Sequence, residues 1–173
     1  MRDRDTGFTD FFVNRSDALR RTAYLLCGDW HRAEDLVQTS LSKLYLAWGR
    51  ITRHDSLDAY ARQTLVRTFL SERRLGWFRN ERVTDDPADT PAPGRGGTED
   101  RIVLLAALKR VPPGQRTVLV LRYWEDMSVD ETAALLRCST GTVKSQAARG
   151  LQTLRGLLTD HLAAQHPDRK RTE

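Results

Sequence analysis

Residues 127–154, MSVDETAALLRCSTGTVKSQAARGLQTL, constrain this chain more tightly than any other stretch. Val129, Ala133 and Leu136, with Ala134 and Leu135 beside them, recur at the spacing of one helical face. Ser128 precedes that stripe and Glu131 follows three residues later. This is the capping-box pattern, in which a hydroxyl and a carboxylate each satisfy a backbone N–H of the first turn. Arg137-Cys138-Ser139 supplies a turn, and Ser139 or Thr140 is placed to cap a second helix. That helix carries Val143, Ala147, Leu151, Leu154 and Leu158 on one face. Its other face presents Thr142, Ser145, Gln146, Arg149 and Gln152, with Lys144 at the flank.

A short helix, a tight turn and a longer helix with a basic, amide-bearing outer face form a helix-turn-helix. The second helix suits the major groove, where Arg and Lys pair with guanine or phosphate and Gln with adenine. Thr140, Thr142, Lys144, Ser145, Gln146 and Arg149 are the candidate DNA-contacting residues. A plain helical hairpin with a wetted polar face is the alternative, but capping, turn and charge agree on the sharper reading.

The remainder of the chain is read as helical too. Phe8, Phe11, Phe12, Leu19, Ala23 and Leu26 give an apolar pattern over 8–27, with a break possible where Ser16 can cap a second segment. Gly28 suits a helix C′ position and Asp29 an N-cap. From there Ala33, Leu36, Val37, Leu41, Leu44 and Trp48 keep a helical period. The opposite face, Glu34, Asp35, Gln38, Thr39 and Ser42, reads on pattern alone as solvated surface. After a polar loop, Asp55 or Ser56 caps a helix over 57–75, with Leu57, Tyr60, Ala61, Leu65, Thr68 and Phe69 turned inward. Arg62, Gln63, Arg67, Arg73 and Arg74 lie elsewhere on it. Arg beside aromatic rings suits a single nucleic-acid strand, since bases stack on rings while Arg holds phosphates; Tyr60 and Phe69 are nonetheless expected to be core, and Trp77 and Phe78 are left open.

Residues 84–98, TDDPADTPAPGRGGT, are a linker by composition. The expected plan is all-α: a helical domain over 1–83, the linker, a second helical domain over 99–165, and a polar tail over 166–173. In the second domain, Arg101 to Arg110 makes a helix stopped by Pro112-Pro113, and 114–125 makes another. Net charge is +4 over 1–84 (15 basic, 11 acidic residues), −4 over 85–100 (1 and 5) and +5 over 101–173 (12 and 7). Two basic blocks around an acidic connector suit contact with nucleic acid at both ends.

Other classes are excluded by inventory. No apolar run approaches the ~20 residues that span a bilayer, and the charged N-terminus is not a secretory signal. Cys27 and Cys138 stand far apart with no CxxC, so neither metal nor cofactor is expected, and both read as buried thiols of a cytoplasmic protein. His31, His54, His161 and His166 are scattered, and Gly94–Gly97 follows no strand. An enzyme is not expected. His31 and His161 read as surface residues.

Taken together, AEDLVQ at 33–38, ERR at 72–74, the Pro/Gly-rich linker and LKRVPPGQRTVLVLRYWEDMSVDETAALLRCSTGTVKS at 108–145 resemble a bacterial RNA polymerase sigma factor. The likeness is to the compact extracytoplasmic-function group, which keeps only regions 2 and 4, and it covers roughly 8–160. DAYARQTLVRTFLSERR at 58–74 further resembles a sub-type common in high-GC bacteria. The resemblance implies that Asp35, Leu36 and Gln38 meet the clamp helices of the polymerase β′ subunit, which reverses the solvated reading of that face. It implies that Arg53, His54, Asp55, Arg62, Gln63 and Arg67 engage the promoter −10 element, where a flipped-out base and an opened strand are held. The linker would thread toward the RNA exit path, the second helix of the helix-turn-helix would read the −35 element, and the rest of that domain would sit on the β flap.

Two departures stand out: Gln146-Ala147-Ala148 follow Lys144-Ser145 where the family commonly continues with Arg and a bulky pair, and Arg67 replaces the sub-type's usual Asn. An anti-sigma factor is a compatible partner, and nucleoid association would follow from polymerase binding. A polymerase-independent dimeric regulator is the competing reading. It has no use for the DLVQ surface or for an Arg-rich helix aimed at a single strand.

Overall fold

The computed structural model describes residues 2–51, 57–78 and 99–165, and every element among them is a helix or helical turn. The chain divides into two compact units, 1–90 and 91–173.

In the first unit, α1 (Arg2–Cys27), α2 (Trp30–Ala47) and α3 (Leu57–Phe78) pack pairwise on one another. The α1–α2 corner is built as the residues require. Gly28 adopts a left-handed φ of 75° and returns its N–H to the Tyr24 carbonyl at 2.7 Å. Asp29 then accepts from the Arg32 amide at 2.7 Å, satisfying an otherwise orphaned donor of the first turn. α1 starts earlier than the apolar pattern suggested and runs through Ser16 without a break, with Ser16 buried mid-helix. Leu26, Leu36, Leu44, Leu65 and Val66 are fully buried and form the centre of the core. At one end, Phe8 meets Tyr45 and Trp48 edge-on at 5.0 and 5.3 Å between ring centroids, the geometry that ring quadrupoles favour. α2 closes in a 3₁₀ turn, Trp48–Arg50.

In the second unit α7 (Thr140–Gln165) is the spine, and α4 (Glu99–Arg110), α5 (Pro113–Leu119) and α6 (Val129–Leu136) pack against it. Pro113 opens α5, where its missing N–H has no intrahelical partner to lose. Arg116 is buried, and its Nη1 donates to the Lys109 carbonyl at 3.1 Å, tying α5 to the end of α4. The single helix expected over 114–125 instead widens into a π turn at Val120–Trp124. The Glu125 amide reaches back to the Val120 carbonyl at 3.0 Å. Gly150 lets α7 approach α5: a Cβ there would stand 3.0 Å from Cγ and Cδ1 of Leu119.

Candidate nucleic-acid interfaces

The helix-turn-helix is assembled from its own side chains. Ser128 Oγ accepts from the Glu131 amide at 3.1 Å while a Glu131 carboxylate oxygen accepts from the Ser128 amide at 2.7 Å, so both halves of the capping box are present. Arg137 ends α6 with a left-handed φ of 54°, and the Cys138 amide bonds to the Ala133 carbonyl at 3.0 Å. Of the two cap candidates for the next helix, Ser139 takes the role, its Oγ accepting from the Thr142 amide at 3.0 Å. Val118, Ala133, Val143 and Ala147 form the core beneath the turn, with Val129, Leu136 and Cys138 packed against them.

That core fixes which face of α7 looks out. Thr140, Thr142, Lys144, Ser145 and Arg149 are all exposed. Ser145, Arg149 and Gln152 fall opposite Val143, Ala147 and Gly150, since successive residues turn by about 100° around a helix. Gln146 is half-buried at the edge of the core rather than central to the face. Ser145 Oγ is engaged with the Thr142 carbonyl at 3.0 Å. The exposed strip continues through Arg155, which the sequence reading did not single out although its spacing from Gln152 places it there.

On α3 the structure separates the candidates. Gln63 and Arg67 are exposed, whereas Arg62 is half-buried toward another side. Tyr60 was expected in the core but is 38 % exposed. It stands three and seven residues before Gln63 and Arg67, so a ring, an amide and a guanidinium share one helical face. Phe69 is buried as expected. Arg53, His54, Asp55 and the capping position before α3 lie outside the described residues, as do the side chains of Arg73, Arg74, Trp77 and Phe78.

On α2, Asp35 and Gln38 are exposed one turn apart. Leu36 is 0 % exposed. Its place among the partner-contacting residues is therefore corrected: the side chain points into the three-helix core and supports the face from beneath. Beside Gln38 runs an apolar groove lined by Phe8, Phe12, Leu41, Ser42, Tyr45 and Leu46. Leu46 is 75 % exposed there, and the helical period of α2 sets it opposite the buried face that holds Leu36 and Leu44. Cys27 and Cys138 form no disulfide and are half-buried rather than fully buried, and His161 is half-buried where a surface position was expected. Among the described residues no helix is long and apolar enough to cross a membrane, and no group of three or more His, Cys, Asp or Glu is placed to hold a metal ion.

Two helical units, one carrying a helix-turn-helix with a basic outer strip and the other a face of ring, amide and guanidinium, suit a protein that binds DNA. Comparison with known proteins gives the family. The family model for Sigma-70 region 2 matches residues 12–79, and that for Sigma-70, region 4 matches residues 101–154. The RNA polymerase sigma-E factor of Streptomyces coelicolor is 40 % identical over 153 residues, covering 86 % of this chain and 84 % of the relative. The ECF RNA polymerase sigma factor SigE of Mycolicibacterium smegmatis is 33 % identical over 153 residues, covering 84 % of this chain and 59 % of the relative. Among solved structures, the sigma factor RpoE in complex with the anti-sigma factor NepR from Bartonella quintana aligns with a TM-score of 0.69 and 27 % identity, covering 88 % of this chain and 97 % of that one. The chain belongs to the extracytoplasmic-function group of sigma-70-family RNA polymerase sigma factors. None of the relatives named here is a polymerase-independent regulator.

Proposed function

We propose that the chain docks on core RNA polymerase through the Asp35 and Gln38 face of α2, reads a −35 element with α7, and holds the opened −10 strand along α3. The observation that supports this reading is that two separately cored units carry different outer faces. One offers a basic helix shaped for a duplex, and the other a ring, an amide and a guanidinium in line. Thr140, Thr142, Lys144, Ser145 and Arg149 serve the −35 contact, with phosphates taken by Lys144, Arg149 and the α7 N-terminus. Gln146, at the edge of that face, reaches at most one base pair. Arg53, His54 and Asp55 receive the flipped base. Gln63 and Arg67 then hold the strand that follows. Flipping and unstacking cost a few kcal/mol, which contacts of this kind recover. The bond-making chemistry belongs to the polymerase; this chain supplies recognition and strand opening. It works in the cytoplasm at the nucleoid, and an anti-sigma factor of the kind in complex with RpoE is a further partner.

Footprinting of the holoenzyme tests the reading. Two protected segments about two helical turns apart are expected. Lys144→Ala with Arg149→Ala should erase the upstream one. Gln63→Ala with Arg67→Ala should leave it intact and abolish permanganate reactivity of thymines in the downstream segment. Loss of both segments in both variants would overturn the division of labour.

A further inference from the structure

α3 carries the ring, amide and guanidinium in line, yet no residue of its first turn, 57–60, is buried. Burial begins at Ala61 and continues with Leu65, Val66 and Phe69. Apolar packing therefore fixes the middle of α3 and leaves its start to another device.

Arg15 of α1 supplies one. Its Nη2 donates to Oδ2 of Asp58, an ion pair that ties the middle of α1 to the first turn of α3. Asp58 also suits that turn on its own account, since the unpaired N–H groups of a helix start favour a carboxylate. At about 100° per residue, Asp58 lies on the side of Leu65 and Phe69 and about 180° from Arg67. The tie is thus turned away from the face that would meet a strand, and Arg15 neutralises the carboxylate from the α1 side.

An exposed pair of this kind adds little to stability. Its use is geometric. A tilt of about 10° about the buried Leu65 would carry the first turn, about 10 Å along the helix, by roughly 2 Å. Preorganised sites tolerate displacements of about 0.5 Å. The strand face would turn away from α1 and α2, and α2 is the helix given the polymerase contact. We propose that Arg15 is a positioning residue for strand opening: through Asp58 it holds the start of α3 against α1, so that Tyr60, Gln63 and Arg67 meet the strand while the unit is docked. The proposal rests on the strand-holding reading of α3 and adds to it a residue that acts through the fold alone.

The test uses core polymerase loaded with the full chain, on a promoter at which it directs new starts. Permanganate reactivity of the downstream thymines reports opening, and the upstream footprint reports docking. Arg15→Gln and Asp58→Asn should each lower that reactivity about 3- to 10-fold and leave the upstream footprint intact, and the double variant should be no worse than the deeper single one, because the two substitutions remove one interaction. Arg15→Lys should restore most of the opening. The melting temperature of the free chain should hold throughout, both side chains being about half exposed. Full opening by the single variants would overturn the strut. Additive losses would overturn it too, since Arg15 would then act on the DNA by itself, as would losses that follow a fall in melting temperature. Those outcomes leave the strand-holding role of α3 standing. That role fails instead if Gln63→Ala with Arg67→Ala opens the promoter normally, and the strut fails with it.

Discussion

Gly150→Ala places a methyl group where α7 and α5 already touch. Glycine inside a helix costs about 0.8–1 kcal/mol relative to alanine, so the exchange recovers that much wherever space is free. At 150 the new Cβ would stand 3.0 Å from Cγ and Cδ1 of Leu119 and 3.3 Å from Cβ of Gln115. Carbon pairs prefer about 3.5–4.0 Å. Leu119 is itself buried, so relief requires the core to shift. Overpacking of this kind costs about 1–3 kcal/mol. The balance runs from about neutral to about 2 kcal/mol destabilising. Gly156 provides the control, because a Cβ there meets nothing within 4 Å in the same helix. Gly156→Ala should therefore stabilise by about 0.4–1 kcal/mol. The two variants should differ by about 1–3 kcal/mol, several degrees or more in the melting temperature of a unit this size. Native-state hydrogen exchange of α7 amides assigns the change to this unit. Equal stabilisation by both alanines would refute the argument, since it would mean that Leu119 yields freely.

Ser128→Ala removes the hydroxyl that accepts from the Glu131 amide, and should cost about 1 kcal/mol, read as a lower urea midpoint at unchanged slope. Leu36→Ala should destabilise the first unit by about 2–5 kcal/mol. Asp35→Ala should leave stability within about 0.5 kcal/mol and weaken polymerase binding instead; equal loss of stability in the two variants would contradict the buried and exposed placements. Lys144→Ala and Arg149→Ala should each lower the slope of log affinity against log salt by about 0.9. Gln146→Ala should leave that slope unchanged and alter preference at one base pair. If every promoter responds alike to Gln146→Ala, the residue is not a base reader.

The parts of the fold legible in the sequence were those set by local chemistry. Ser128 with Glu131, and Gly28 with Asp29, signal helix ends because backbone donors and acceptors there need side-chain or left-handed partners. The 3.6-residue stripe of α2 placed Leu36 and Leu44 in the core for the same kind of reason. What escaped was decided by tertiary packing. Ser16 resembles a cap, yet it lies buried within α1 because that helix is held along its length by α2 and α3. Tyr60 is expected inward as a large ring, but the helical period sets it about 100° from Ala61 and on the side of Gln63 and Arg67, so the ring lies outside. The π turn at Val120–Trp124 carries no composition signal, so a single helix is expected over 114–125. In the site, charge and amide groups marked the outer face of α7 well, while the half-burial of Gln146 depended on how α7 sits on α5 and α6. Only the resemblance to sigma factors gave the α2 face a partner.

Run-off transcription from fragmented genomic DNA, with bacterial core polymerase and with or without this chain, tests the central claim most directly. Discrete new start sites are predicted, and they should vanish with Asp35→Ala and Gln38→Ala while the variant keeps its wild-type melting temperature. Sequence-specific duplex binding in the absence of polymerase, together with no new start sites in its presence, would contradict the account.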